Sequence, residues 1–87
     1  MYHSINVGDD REAAVQESKR YLDTYYGADL SREYLESRIA LGPPADCIRR
    51  LRRYVEAGVS TIVLRLTSFD HERQFARVTE EVLPAFK

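Results

Sequence analysis

Residues 44–66 run as a helix, a glycine turn and a strand without a gap, and this unit constrains the fold more than any other part of the chain. Cys47, Ile48, Leu51, Tyr54 and Val55 recur at helical spacing and form one apolar stripe. Arg49, Arg50, Arg52, Arg53 and Glu56 decorate the other side. Ala57-Gly58 ends the helix, because glycine reaches the left-handed conformation of a C-cap without a Cβ clash. Residues 59–66 then read as a strand, rich in β-branched side chains and nearly continuous in hydrophobicity. Such runs suit parallel strands buried on both faces.

The same alternation extends through the rest of the chain. Ser4-Ile5-Asn6-Val7 is a short strand that stops at Gly8, and Asp9 or Asp10 caps the helix after it. Ala14, Val15, Ser18, Leu22 and Tyr25 mark the inner stripe of that helix, which ends at Tyr26-Gly27. Ser31 caps a shorter helix with Tyr34, Leu35 and Arg38 on its inner side. Ile39-Ala40-Leu41 is a very short apolar run, closed by Gly42-Pro43-Pro44. Proline cannot continue a ladder but suits a first helical turn. Past residue 66, Ser68 or Asp70 caps a last helix whose stripe is Phe75, Val78, Thr79, Val82, Leu83 and Phe86. Pro84 distorts or ends its final turn.

Strands alternating with helices predict a single α/β domain over residues 1–87, with about three parallel strands, flanking helices and right-handed crossovers. Three such units are also part of a (β/α)8 barrel. A three-stranded sheet of this kind is expected to leave two open edges and one uncovered face.

Composition narrows the function classes. Charged residues make up 31% of the chain, yet the net charge is only −1. Nucleic acid and anionic membranes favour a basic excess, so neither is an expected partner. Cys47 is the only cysteine, which rules out an internal disulfide and fits a reducing, cytoplasmic setting. The opening Met1-Tyr2-His3-Ser4 has neither the basic start nor the apolar core of a signal peptide. The longest apolar stretch, Ile62-Val63-Leu64, is far too short to span a membrane.

The string from Leu41-Gly42-Pro43-Pro44 through the arginine-rich helix to Ala57-Gly58-Val59, then Thr61-Ile62-Val63-Leu64-Arg65-Leu66, resembles the C-terminal portion of the TIM-type barrel of luciferase-like, flavin-dependent monooxygenases. Glu80-Glu81-Val82-Leu83-Pro84 is similar to the end of that family's final helix. Asn6-Val7-Gly8-Asp9-Asp10-Arg11-Glu12-Ala13-Ala14 and Tyr25-Tyr26-Gly27 also resemble segments of the family. The resemblance implies a barrel several times longer than this chain, using reduced flavin mononucleotide (FMN) or a deazaflavin to oxidise small organic substrates. It implies that residues 1–87 correspond to the last three strands. Much of the flavin and substrate pocket belongs to the other five, so the segment alone is expected to be inactive and need hold no cofactor.

The residues point to no catalytic group. Barrel sites lie at the C-terminal ends of strands, which makes Arg65, Thr67, Ser68 and Gly42 the cofactor-binding candidates. Val63 and Arg65 share one strand face, and a guanidinium on the lumen side near the top can grip a phosphate bidentately. Alternatively, Arg65 pairs with a carboxylate such as Asp70 or lies at the surface. Thr67 and Ser68 sit where strand meets helix, a place for phosphate or simply for an N-cap. Gly42 permits close ligand approach or only a turn. Asn6 and Gly8 close the first strand and are weaker candidates.

His71 and His3 lack evident partners and read as solvent-exposed, and Cys47 reads as a buried small hydrophobe. One cysteine and two distant histidines make no zinc site. The four arginines of residues 49–53 read as a solvated helix face, and the dispersed tyrosines as helix packing. Open sheet edges invite another chain. The expected partner is a second copy, giving a homo-oligomer and most simply a dimer, or a complementary barrel chain with the first five strands.

Overall fold

In the computed structural model, which describes residues 1–86, alternation along the first strand sends apolar side chains into a core on one face and a buried asparagine to the other. This strand, β1 (Tyr2–Val7), turns Ile5 and Val7 to one face and Asn6 to the other. The chain continues through α1 (Arg11–Tyr26), α2 (Arg32–Arg38), β2 (Ile39–Gly42), α3 (Pro44–Glu56), β3 (Val63–Leu66) and α4 (His71–Arg77). Past α4 the helix widens into a π turn at Val78–Val82 and ends in a 3-10 turn at Leu83–Phe86.

The sheet is parallel and open, in the order β2-β1-β3. With right-handed crossovers, a first connection to one side and a second to the other must lie on opposite faces. The packing agrees. Ala14, Val15 and Leu22 of α1 and Leu35 of α2 bury with Ile39 and Leu41 of β2. On the other face, Cys47 and Leu51 of α3 and Val78 and Val82 of the π turn bury with Ile5, Val7 and Ala40. Full burial of a side chain such as Leu35 or Ile5 is worth about 1.5–3 kcal/mol.

This arrangement corrects the expected uncovered face and the expected extent of the last strand. Three consecutive barrel strands would lie in the order β1-β2-β3 with their helices on one face, whereas here β1 is central and both faces carry helices. Neither face of the sheet is wholly uncovered; what stays open is its edges and the α1 side of β3. Residues 59–66 are also not a strand buried on both faces. Only Val63–Leu66 is extended in register with β1, with Ser4 opposite Arg65 and Ile5 opposite Leu66. Leu64 and Leu66 pack on the α3 core, while Val63 is 47% exposed. The reason is coverage: α1 and α2 lie over β2 and β1, and their face of β3 stays open.

Local signals placed the helices well. Asp10 caps α1 by accepting from the N–H groups of Glu12 and Ala13, and Gly27 ends it at φ 64°. Ser31 caps α2 through the Tyr34 N–H, and Asp70, not Ser68, caps α4 through the Arg73 N–H. Pro43-Pro44 opens α3. Pro84 cannot donate, and the turn before it widens, with the Leu83 N–H reaching the Val78 carbonyl. The inner stripes differ at their margins. Tyr25, Tyr34, Arg38 and Phe75 are exposed rather than inward; Leu35 alone carries α2, and Gln74 takes the place expected of Phe75.

Candidate functional site

The order β2-β1-β3 makes the carboxyl end of β1 a switch point. The loop after β1 leads to α1 on one face, and the loop after β3 leads to α4 on the other. Diverging loops leave a crevice, the usual ligand position in open α/β sheets. Here it is a cleft of about 390 Å3 whose rim carries Asp9, Asp10, Arg20, Arg73 and Arg77.

The floor of the cleft is a closed polar network. The Asn6 amide donates to Glu17 Oε1 at 2.9 Å and to the Thr67 carbonyl at 2.8 Å. Gln74 Oε1 accepts from the Val7 N–H at 3.0 Å, and its Nε2 donates to the Val7 carbonyl at 2.8 Å and to Asn6 Oδ1 at 3.2 Å. Ser18 and Thr67 share a hydroxyl bond of 2.8 Å, and Ser68 donates to Glu17 Oε2 at 2.9 Å. Asn6, Ser18, Thr67, Ser68 and Gln74 are all buried. Partnered in this way, buried polar groups fix one arrangement instead of destabilising it.

Two of the three rim arginines are paired with carboxylates. Arg77 bonds Asp9 at 2.9 Å and also Glu81, and these bonds hold its guanidinium above, and the Glu81 carboxyl below, their ordinary ranges. Arg73 lies 3.6 Å from Asp70 and 3.9 Å from Glu17. Asp10 already accepts from two first-turn amides of α1, so those amides do not face the cleft as free donors. Among the described residues no group of three or more His, Cys, Asp or Glu side chains could hold a metal ion. The residues present do not make a flavin-phosphate site by themselves: the floor hydroxyls are spent and Arg73 and Arg77 are paired, which leaves Arg20 as the one rim cation without an ion pair among the described residues.

The four cofactor-binding candidates are not brought together. Thr67 and Ser68 lie in the buried floor. Gly42, at φ 103°, closes β2 beside Arg11, where an added Cβ would come within 3.4 Å of the Arg11 side chain. Arg65 turns away from the cleft, donates to the Tyr26 hydroxyl at 2.7 Å and stacks over Tyr25. Of the weaker candidates, Asn6 belongs to the floor and Gly8 to the cleft.

His3 is not solvent-exposed. The residue is 8% exposed, and its ring packs 5.0 Å from that of Tyr54 and has a buried Nε2 with no hydrogen-bond partner. Burial, and then the Arg50 charge, lower its pKa below the ordinary value of 6.5. His71 is exposed beside Tyr21. Cys47 is fully buried, and burial, aided by Asp46, pushes its thiol up to about 12. The arginines of α3 do more than face solvent: Arg50 donates to the Glu36 and Ser37 carbonyls, and Arg52 to that of Ala85.

Sequence reasoning missed Glu17 and Gln74. The spacing Gln74, Val78, Val82 is a clean four-residue repeat and was the available signal for Gln74. Glu17 had none, since its partners come from β1 and the β3–α4 loop. Compared with known protein families, curated proteins and solved structures, the chain matches none of them.

Proposed function

We propose that this chain is the C-terminal segment of a luciferase-like, flavin-dependent monooxygenase, made to close a (β/α)8 barrel and inactive alone. The observation that carries this reading is the unit at residues 41–66: a proline-opened amphipathic helix, an Ala57-Gly58 turn and a parallel strand. In a closed barrel β3 would lie beside β2, and an upstream strand would hold the edge of β1 that β3 takes here. The half-exposed β3 is the strand best suited to such a move. FMN or a deazaflavin would then belong to the completed barrel, in a reducing, cytoplasmic setting that suits the one buried thiol. Titration of the 87-residue chain with reduced FMN tests the reading. Neither stoichiometric binding nor substrate oxidation is expected; tight binding with turnover would contradict it.

A second reading is a non-enzymatic module that binds a copy of itself. The free edge of β3 favours it. Val63 is 47% exposed there, and an apolar groove of about 370 Å3, lined by Val55, Val59, Ile62, Leu64, Leu83 and Phe86, runs along the α3 side. Unpaired edge backbone beside apolar surface favours strand pairing between chains. Light scattering over a concentration series decides it, with a dimer expected and a monomer at every concentration opposing it.

A further inference from the structure

The sheet carries a second recess, at the end opposite the cleft. It has a volume of about 270 Å3 and lies where the starts of β1 and β3 meet the end of α1 and the side of α2. Arg38 and Arg65 both line it, together with Tyr26, Tyr34 and Ser4, and no carboxylate does.

Both guanidiniums are held in place without being neutralised. Arg65 lies 5.1 Å from the Tyr25 ring centre and donates one hydrogen bond, to the Tyr26 hydroxyl. Arg38 lies 5.1 Å over the Tyr34 ring. A stacked guanidinium keeps its in-plane donors available, and arginine has five of them. Among the described residues neither arginine has an ion pair, and the hydroxyls of Ser4 and Tyr34 have no hydrogen-bond partner. Five other cationic side chains of this chain, Lys19, Arg32, Arg49, Arg73 and Arg77, are each paired with a carboxylate. The recess thus gathers two oriented positive charges, with unspent donors, around a space that lacks the matching negative charge.

We propose that this recess binds a compact oxyanion, the phosphate or carboxylate group of a small ligand, between Arg38 and Arg65. Charge-assisted, forked hydrogen bonds supply the affinity, and the hydroxyls of Ser4 and Tyr34 complete the shell. The site depends on the β1–β3 pairing, which sets Ser4 opposite Arg65, so it belongs to the chain on its own and would be lost if β3 moved beside β2 in a closed barrel. It is independent of flavin chemistry and of the crevice at the other end of the sheet.

Two-dimensional NMR titration of the whole chain with inorganic phosphate and, separately, with acetate tests the site, with sodium chloride matching the ionic strength. Saturable shifts are expected at Ser4, Tyr26, Arg38 and Arg65, with phosphate alone saturating if the ligand is a phosphate and acetate alone if it is a carboxylate. Loss of one charged hydrogen-bonding partner costs about 1.5–3 kcal/mol, so Arg65→Gln should weaken binding about tenfold or more. Arg38→Gln, on a different element, tests the same recess should Arg65→Gln not fold. Linear shifts that never saturate with either anion, or saturable binding unchanged in the folded variants, would overturn the proposal.

Discussion

The side-chain amide of Gln74 pairs with both backbone groups of Val7, accepting from its N–H at 3.0 Å and donating to its carbonyl at 2.8 Å. Ile5, two residues earlier, turns its carbonyl to the Thr67 N–H, so this edge of β1 faces the β3 side. Beyond Leu66 no strand continues there. Gln74 stands in for the missing residue of ladder, and it joins α4 to the centre of the sheet.

Gln74→Met keeps the side chain's length and removes both polar atoms. Two buried backbone groups then lose their partners, at about 1–3 kcal/mol each. We expect a fall in unfolding free energy of about 2–6 kcal/mol by urea denaturation, with the slope unchanged. A change within experimental error would show that water replaces the amide.

How much of this was legible follows from range. Asp10, Ser31, Asp70, Gly27 and Pro44 act on their own neighbours, so the helix ends could be read from order alone. The phase of α4 could not be settled, because Phe75 is the more apolar choice by one position; what turns Gln74 inward is a pair of backbone groups 67 residues away. Strand order was illegible for the same reason. No local signal tells β3 to pair with β1 rather than β2. Thr67 and Ser68 were found as a polar pair at a strand end, but their burial depends on Ser18 and Glu17 from another helix.

His3 gives a pH dependence of known sign. Its folded pKa lies below the ordinary 6.5, through burial and then the Arg50 charge. The unfolded chain therefore takes up the proton first. The stability is complete above 6.5 and falls as the pH drops from there toward the folded value, at no more than about 1.4 kcal/mol per pH unit. Glu12, Asp23 and Glu81, each held below its ordinary carboxyl value by its hydrogen-bonded cation, lose their contributions only at lower pH. Thermal melts at pH 7.5 and 5.5 should differ for the native chain and differ less for His3→Phe. Equal shifts in both would place the titrating group elsewhere.

Cys47 should be inert while the chain is folded. A thiol pushed up to about 12 holds almost no thiolate at pH 8, and its side chain is inaccessible. Labelling with an aromatic disulfide reagent should be slow in buffer and complete within minutes in denaturing urea. Fast labelling in buffer would mean that α3 opens readily from the sheet.

The register of β3 predicts a crosslink. Ser4 and Arg65 are partners in the β1–β3 pair, so Ser4→Cys with Arg65→Cys should form an intramolecular disulfide on mild oxidation. Ala40→Cys with Leu64→Cys would report instead a β3 beside β2, as in a barrel, and should stay reduced in the isolated chain.

Val63 on the free edge is the position at which to test self-pairing. A lysine on an edge strand blocks association between sheets. If the chain dimerises through β3, Val63→Lys should return it to a monomer with little change in its melting temperature. A dimer that survives the substitution would move the contact elsewhere.

The central claim is that these residues close a longer barrel. It is tested most directly by the size of the polypeptide that carries them in the source cells, read by immunoblot with an antibody raised against the chain. The account predicts one band of about 250 residues or more, the length of a complete (β/α)8 barrel. A single species of 10.1 kDa would contradict it.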